Sequence, residues 1–487
     1  MRRRLFWVAV LYIAEGLPFG LFTDVFPVAF REQHASLDQI GLISLLGLPW
    51  TLKFLWAPAI DRFRHHRLWM LGADLLMALA LGELAFVAGI GHGALIAIGC
   101  FTMLSSTNDI AIDGYTLELL KIGEMGVGNG LRIGFYRAGM LMAGVVLIAS
   151  SYVGWRVAYI LAAALLVIDG IACLRAPREA HRTHTSEQSV GAELRSLMHR
   201  PRALAMVLAL LMGALWLLND GLHWTRSVPR LFLYAGALCT ALWAVSLLRK
   251  RATATAAARP SGGPLFGALL EITSRPGIWP VFVFILLYKL GDSSIGFMIK
   301  PFWVDRGFSA AQIGVVSVIL GIGLSVLGGL IGGLITDRLG IYRALWVLGL
   351  VQVAPNIGYA VCAAWLPRQA QGLPIPLAHQ LLIYGVSGLE SFAGGLGTAA
   401  FLAFLMAIVR KRRAATEYAL LSSLFSISAR LAGFVSGFGA QDLGYGEYFF
   451  LTFFLAFPAY AFLPAARRML TQIQTSGDDN GNPEPAR

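Results

Sequence analysis

Long apolar runs separated by short polar breaks recur from one end of the chain to the other. A helix needs about 20 apolar residues to cross the hydrocarbon core of a bilayer, and the runs are of that order. In lipid only helices and closed barrels satisfy every backbone polar group, and runs this long are helices. The pattern predicts an all-α polytopic membrane protein with about fourteen spans; the pair at 203–248 is the least regular. The opening MRRRLFWVAVLYIAEGLPFG has the basic start of a signal peptide. Glu15 and Pro18 interrupt its apolar stretch and no small-residue cleavage site follows, so it reads as an uncleaved first helix.

Composition agrees with the pattern. Of 487 residues, 57% are hydrophobic and 14% charged, roughly half the charged share of a soluble domain. A soluble enzyme and a disordered protein are both excluded. In a soluble chain the net charge of +12 would point to nucleic acid. Here most of the 39 Lys and Arg fall in the breaks on one side of the membrane, from Arg2–Arg4 and Arg62 to Arg467 and Arg468. The positive-inside rule therefore places both termini in the cytoplasm and removes nucleic acid as a partner. Cys100, Cys173, Cys239 and Cys362 lie in apolar runs without metal spacing, so neither disulfide nor metal is expected. There is no Walker A lysine and no HExxH, so no cofactor and no enzymatic activity are expected.

The chain repeats itself. Tyr12, Gly20, Asp61-Arg62 and Arg67 are echoed at one offset by Tyr288, Gly296, Asp337-Arg338 and Arg343, and Gln39-Ile40-Gly41 by Gln312-Ile313-Gly314. Two halves in the same orientation are the parallel-repeat architecture of major facilitator transporters. The expected organisation is a six-helix half over 1–174, a linker with two extra helices over 175–277, a second six-helix half over 278–470 and a disordered polar tail over 471–487. The Asp61-Arg62 and Asp337-Arg338 pairs fit that superfamily's loop motif and are expected to brace a gate. Glycine runs such as GIGLSVLGGLIGG (321–333) read as close helix packing.

Ionisable residues inside apolar spans carry the functional signal, because each costs about 2.5–3.5 kcal/mol to insert. Asp109 and Asp113 are i,i+4 and share a helix face. Two carboxylates so close in a low dielectric do not both ionise easily, which is what a proton acceptor requires; the alternative is a structural pair satisfied by arginines. Asn129, Arg132 and Tyr136 share a face of the next span, with Arg137 one step round, and a hairpin brings these arginines toward the aspartates. Lys289 and Asp292, at i,i+3, can neutralise each other. Glu15, Glu390 and Arg430 complete the polar interior.

Together these segments resemble the AmpG-type muropeptide permeases. The resemblance runs through LPWTLKFLWAPAIDRF (48–63), NDIAIDGYTLELL (108–120), YRAGML (136–141), LYKLGDSSIG (287–296), LESFAGGLGTAAFLAFLM (389–406) and ATEYALLSSL (415–424). Acetyl-coenzyme A transporters share the Asp-x-x-x-Asp and KFLWAP elements. The resemblance implies proton-driven import of anhydro-muropeptides across the bacterial inner membrane for cell-wall recycling. The expected partners are a small anionic glycopeptide-like solute, protons and the lipid bilayer, and the chain is expected to be a monomer. Asp109, Asp113, Asp292 and Glu390 are then the proton-coupling candidates. Glu15, Asn129, Arg132, Tyr136, Arg137, Lys289 and Arg430 are the substrate-binding ones. A carrier of another anionic solute, siderophore or coenzyme A thioester, is the alternative on the same scaffold, and a membrane enzyme a more remote one.

Overall fold

The computed structural model describes residues 2–53, 56–57, 60, 65–87, 89, 91–120, 125–178, 272, 275–409 and 414–478. Helix α1 spans Arg2–Glu32 and α2 Leu37–Leu52. They are followed by α3 (His66–Leu84), α4 (His92–Leu119) and α5 (Met125–Leu174). The second half holds α6 (Ile278–Asp305), α7 (Ala310–Leu339), α8 (Ile341–Trp365) and α9 (Leu377–Ala407). It closes with α10 (Ala414–Phe454) and α11 (Leu463–Asp478). There is no strand among the described residues.

Eight helices among the described residues are long and apolar enough to cross a membrane. Some are too long for one crossing. At 1.5 Å per residue the 50 residues of α5 would reach about 75 Å, against a hydrocarbon core of about 30 Å. Both α5 and α10 break at a glycine, Gly154 with φ 77° and Gly444 with φ 78°. Side chains rarely tolerate that backbone, so each glycine fixes where one crossing ends and the next starts. Taking α5 and α10 as two arms each, and adding the shorter α2 and the less apolar α3, gives twelve long helical segments among the described residues, the number that the expected two six-helix halves require. The expected pair at 203–248 lies outside the described residues. Helix α11 continues to Asp478, so the tail expected from 471 begins as helix; 479–487 lie outside the description.

The structure gives the repeat a physical reason. Ser36 and Gln39 form a capping box at the start of α2, and Ser309 and Gln312 form the same box at the start of α7. Each box satisfies amide groups that the first helical turn leaves free. The isoleucine that follows is fully buried in both halves. The glycine after it lets the other half approach: a Cβ on Gly41 would lie 2.8 Å from the Cα of Gly437, and one on Gly314 2.7 Å from the Gly144 carbonyl oxygen.

Residues Met1–His181, Phe284–Phe404 and Leu424–Leu463 form one compact unit. Arg182–Val283, Leu405–Ser423 and Pro464–Arg487 form another, in which buried Arg275 pairs with Glu417 and donates to the Ile408 carbonyl at 2.9 Å. In the first unit, Val8, Leu11, Tyr12 and Ala14 of α1 pack with Met70 of α3, Ile110–Ile112 and Tyr115 of α4, and Cys173 of α5. Glycines set the α1–α5 crossing. A Cβ on Gly139 would collide with the Ile13 carbonyl and stand 2.9 Å from the Cα of Gly16. Small residues of this kind let two membrane helices touch backbone to backbone. Gly139→Val is therefore expected to cut the yield of monodisperse protein more than tenfold, measured by size-exclusion in detergent, since overpacking costs about 1–3 kcal/mol or more.

Candidate functional site

That crossing places α5 side chains directly over those of α1 and α4. Asp109 and Asp113 share one face of α4, and Lys53, at the end of α2, reaches both, 3.6 Å from Asp109 Oδ2 and 3.7 Å from Asp113 Oδ2. Arg132 pairs with Asp113 Oδ1 at 3.0 Å. The Tyr12 hydroxyl donates to the same oxygen at 2.9 Å, and the Arg132 guanidinium lies 5.1 Å from the Tyr12 ring centre. Glu15, one turn along α1 from Tyr12, is 5% exposed. Its Oε2 is buried without a hydrogen-bond partner, and it is in electrostatic reach of both aspartates, Lys53 and Arg132. Asn108 donates to Asp74 of α3 at 2.8 Å, which fixes the rotation of α4 and so the face that Asp109 presents. Three carboxylates thus share two cations.

A second cluster stands in the other half. Helix α6 is interrupted at Lys289, which leaves its helical backbone. The ammonium pairs with Asp292 at 2.6 Å and donates to Gln352 Oε1 at 3.1 Å and Thr398 Oγ1 at 3.2 Å. Asp292 occupies the first turn of the renewed helix, where the aligned peptide dipoles favour an anion. Glu390 of α9 accepts from Ser391 at 3.3 Å and lies in electrostatic reach of Asp292, Lys300 and Lys289.

Between the halves, Lys300 of α6 meets Asp24 of α1 at 2.8 Å. One helical turn or two beyond, Arg31 makes a two-pronged contact with Asp305, at 2.6 Å from Nε and 2.5 Å from the terminal nitrogen. Tyr445 donates to the same carboxylate at 3.0 Å, and Gln371 donates to Glu32 at 2.8 Å. The contacts close the bundle at the end of α1 remote from the amino terminus.

The structure unites Glu15, Asp109, Asp113 and Arg132, and pairs Lys289 with Asp292. Tyr136 sits beside Phe19, ring centres 5.9 Å apart. Arg137 does not join the aspartates; it donates to Ser325 of α7 at 3.2 Å. Arg430 stands apart, among aromatic rings. Asp61 and Arg62, and the side chain of Asn129, lie outside the described residues. Asp337 and Arg338 are exposed at the end of α7. From sequence, Lys53 counts among the cations inside apolar spans but has no assigned role in the site, although a lysine inside KFLWAP is a signal by the same insertion cost that marks the aspartates. Arg31 and Asp305 were missed: at span ends, charges read as topology markers.

Comparison with known proteins bears on this geometry. A model described as the Major Facilitator Superfamily matches residues 8–222. The chain is 27% identical over 475 residues to the anhydromuropeptide permease of Escherichia coli strain K12, covering 95% of this chain and 79% of that one. An AmpG-named transporter of Rickettsia conorii is 21% identical over 471 residues, 94% of each chain. Among solved structures, a bacterial homologue of the human lysosomal transporter Spinster, in an inward-facing conformation, matches with a TM-score of 0.63 at 13% identity. The match covers 99% of this chain and 98% of that one, and bears on the fold alone.

Proposed function

We propose that this chain, a multi-pass transporter with the major facilitator fold and a sequence relative of the AmpG-type permeases, is a proton-coupled importer of anhydro-muropeptides in the bacterial inner membrane. The observation that carries the proton half of this reading is the charge inventory of the first cluster. Glu15, Asp109 and Asp113 face Lys53 and Arg132, so in a low dielectric one proton makes the cluster neutral. Glu390 stands in the same relation to the paired Lys289, Asp292, Lys300 and Asp24.

Coupling has a clear energetic purpose. A muropeptide carries carboxylates, and moving each inward against a negative-inside potential costs about 2.3 kcal/mol per 100 mV. Proton entry offsets that cost. Tyr136 offers a ring face for a sugar, and Arg137 and Lys289 offer donors for carboxylates. The contacts of Arg31 and Lys300 close the face that would be periplasmic if both termini are cytoplasmic, the orientation that the distribution of Lys and Arg favours.

The test is uptake of labelled anhydro-muropeptide into proteoliposomes with and without an imposed pH gradient, inside alkaline. Accumulation that disappears when the gradient is collapsed is expected. Absence of uptake by protein that is folded and monodisperse would end the substrate assignment, and gradient-independent uptake would end the coupling.

A further inference from the structure

Most cations of the polar interior are matched with a carboxylate of the same molecule: Lys53 and Arg132 with the α4 aspartates, Lys289 with Asp292, Lys300 with Asp24, Arg31 with Asp305. Arg430 of α10 is different. It is 9% exposed, its Nε is buried without a hydrogen-bond partner, and no carboxylate lies within ion-pair distance of it among the described residues. Three aromatic rings surround it instead, their centres 5.3 Å (Phe22), 5.7 Å (Trp50) and 5.9 Å (Phe19) from the guanidinium carbon. The guanidinium rests on Gly47, where a Cβ would stand 2.7 Å from Cζ. Only a residue without a side chain leaves this berth, at the break between the two segments of α2.

A guanidinium held in low dielectric among ring faces, with the Tyr136 phenol in electrostatic reach but no carboxylate at ion-pair distance, is short of an anion. Aromatic faces offset part of the desolvation, yet they leave unused the flat donor edge that matches a carboxylate in two-pronged fashion. The rings are also surfaces on which the apolar face of a sugar stacks. We infer that Arg430, seated on Gly47 and walled by Phe19, Phe22 and Trp50, is the receptor for a carboxylate carried on a sugar or a sugar-linked peptide, and makes the transporter selective for acid over amide. The inference rests on the muropeptide reading for the identity of the solute but not for the chemistry of the berth. Arg430 belongs to the second half while its berth belongs to the first, so a carboxylate arriving there sits at the junction that has to move for transport. Arg137 and Arg306 are likewise without a carboxylate at ion-pair distance among the described residues, but Arg137 already uses a donor on Ser325 and is less buried, and Arg306 uses one on the Ala363 carbonyl.

The experiment compares an anhydro-muropeptide with the same molecule after every carboxyl is converted to carboxamide, using purified full-length protein and equilibrium binding. The wild type is expected to favour the acid at least 30-fold. Arg430→Gln is expected to lower that ratio at least fivefold while binding of the amide stays within threefold, the remaining preference coming from Arg137 and Lys289, and Arg430→Lys to retain an intermediate ratio. An unchanged ratio in Arg430→Gln overturns the inference. If that variant does not fold, Gly47→Ala, whose methyl displaces the guanidinium, is expected to lower the ratio at least fivefold, and an unchanged ratio there overturns it equally. Should the wild type neither bind nor import the muropeptide, the proposed function falls, and the berth is read with N-acetylmuramate against its carboxamide by thermal stabilisation. Acid-specific stabilisation lost in Arg430→Gln upholds the berth; none in the wild type overturns it.

Discussion

Asp109→Asn is expected to abolish gradient-driven accumulation while leaving exchange of solute across the membrane intact. The reason is arithmetic on charge. With Asn at 109, Glu15 and Asp113 are balanced by Lys53 and Arg132, and no proton is needed for neutrality. At an imposed difference of one pH unit, a single coupled proton supplies about 1.4 kcal/mol, a tenfold accumulation, and that factor should fall to one. Lys53→Met disturbs the same balance in the opposite sense, leaving three carboxylates with Arg132. Its cost should be of order 2 kcal/mol, between exposed and buried pairs, because the Lys53 side chain keeps 32% of its exposure. The double variant Lys53→Met/Asp109→Asn restores an excess of one carboxylate, so both stability and part of the accumulation should return. Thermal unfolding in detergent and proteoliposome uptake read the two effects separately. Full accumulation by both Asp109→Asn and Asp113→Asn would refute the assignment of the proton to this cluster.

Asp305→Asn is expected to open the closed end of the bundle. Arg31 and Asp305 are 19% and 14% exposed and joined by two charge-assisted hydrogen bonds, with Tyr445 on the same carboxylate. Such a contact joins the halves in one conformation and not in the other, so its loss shifts the population by its full worth. About 2 kcal/mol corresponds to a roughly 30-fold shift. Spin labels on His34 and Glu447, both exposed, should show a longer distance component in Asp305→Asn and in Arg31→Gln that is minor in the wild type. Unaltered distributions in both variants would show that the pair does not hold the bundle shut.

How much of this was visible in the sequence depends on which kind of information a residue carries. Apolar run length and the repeat foretold the crossings, since hydrocarbon leaves the backbone few choices. The Gln-Ile-Gly echo was legible as repetition but not as a capping box followed by a seam, because Gly437, which meets Gly41, and Gln441, which accepts from the Leu37 amide, are distant from them in sequence. Asp109 and Asp113 declared themselves by local spacing. Lys53 did not, because its meaning comes from the packing of α2 on α4. Nor does the repeat predict role: Tyr12 donates to Asp113, while its counterpart Tyr288 donates to the Leu345 carbonyl. Glu15 has Gly291 as its counterpart, where a Cβ would stand 2.8 Å from the Thr452 carbonyl, so the second half has no room for the acid.

Helix α1 carries both the charge cluster and the closing contact. Tyr12 and Glu15 lie below, and Asp24 and Arg31 at or above, a turn of π-helix at Leu21–Val25 that follows Pro18. A π turn holds one residue more than an α turn and shifts everything beyond it by about 100° around the axis. The helix is in effect a crankshaft whose two throws, one for charge and one for closure, are clocked by a single surplus residue. Deleting Thr23 would retime the shaft, leaving the lower throw in register and turning Arg31 away from Asp305, although every side chain of the charge cluster and of the closing contact would still be present.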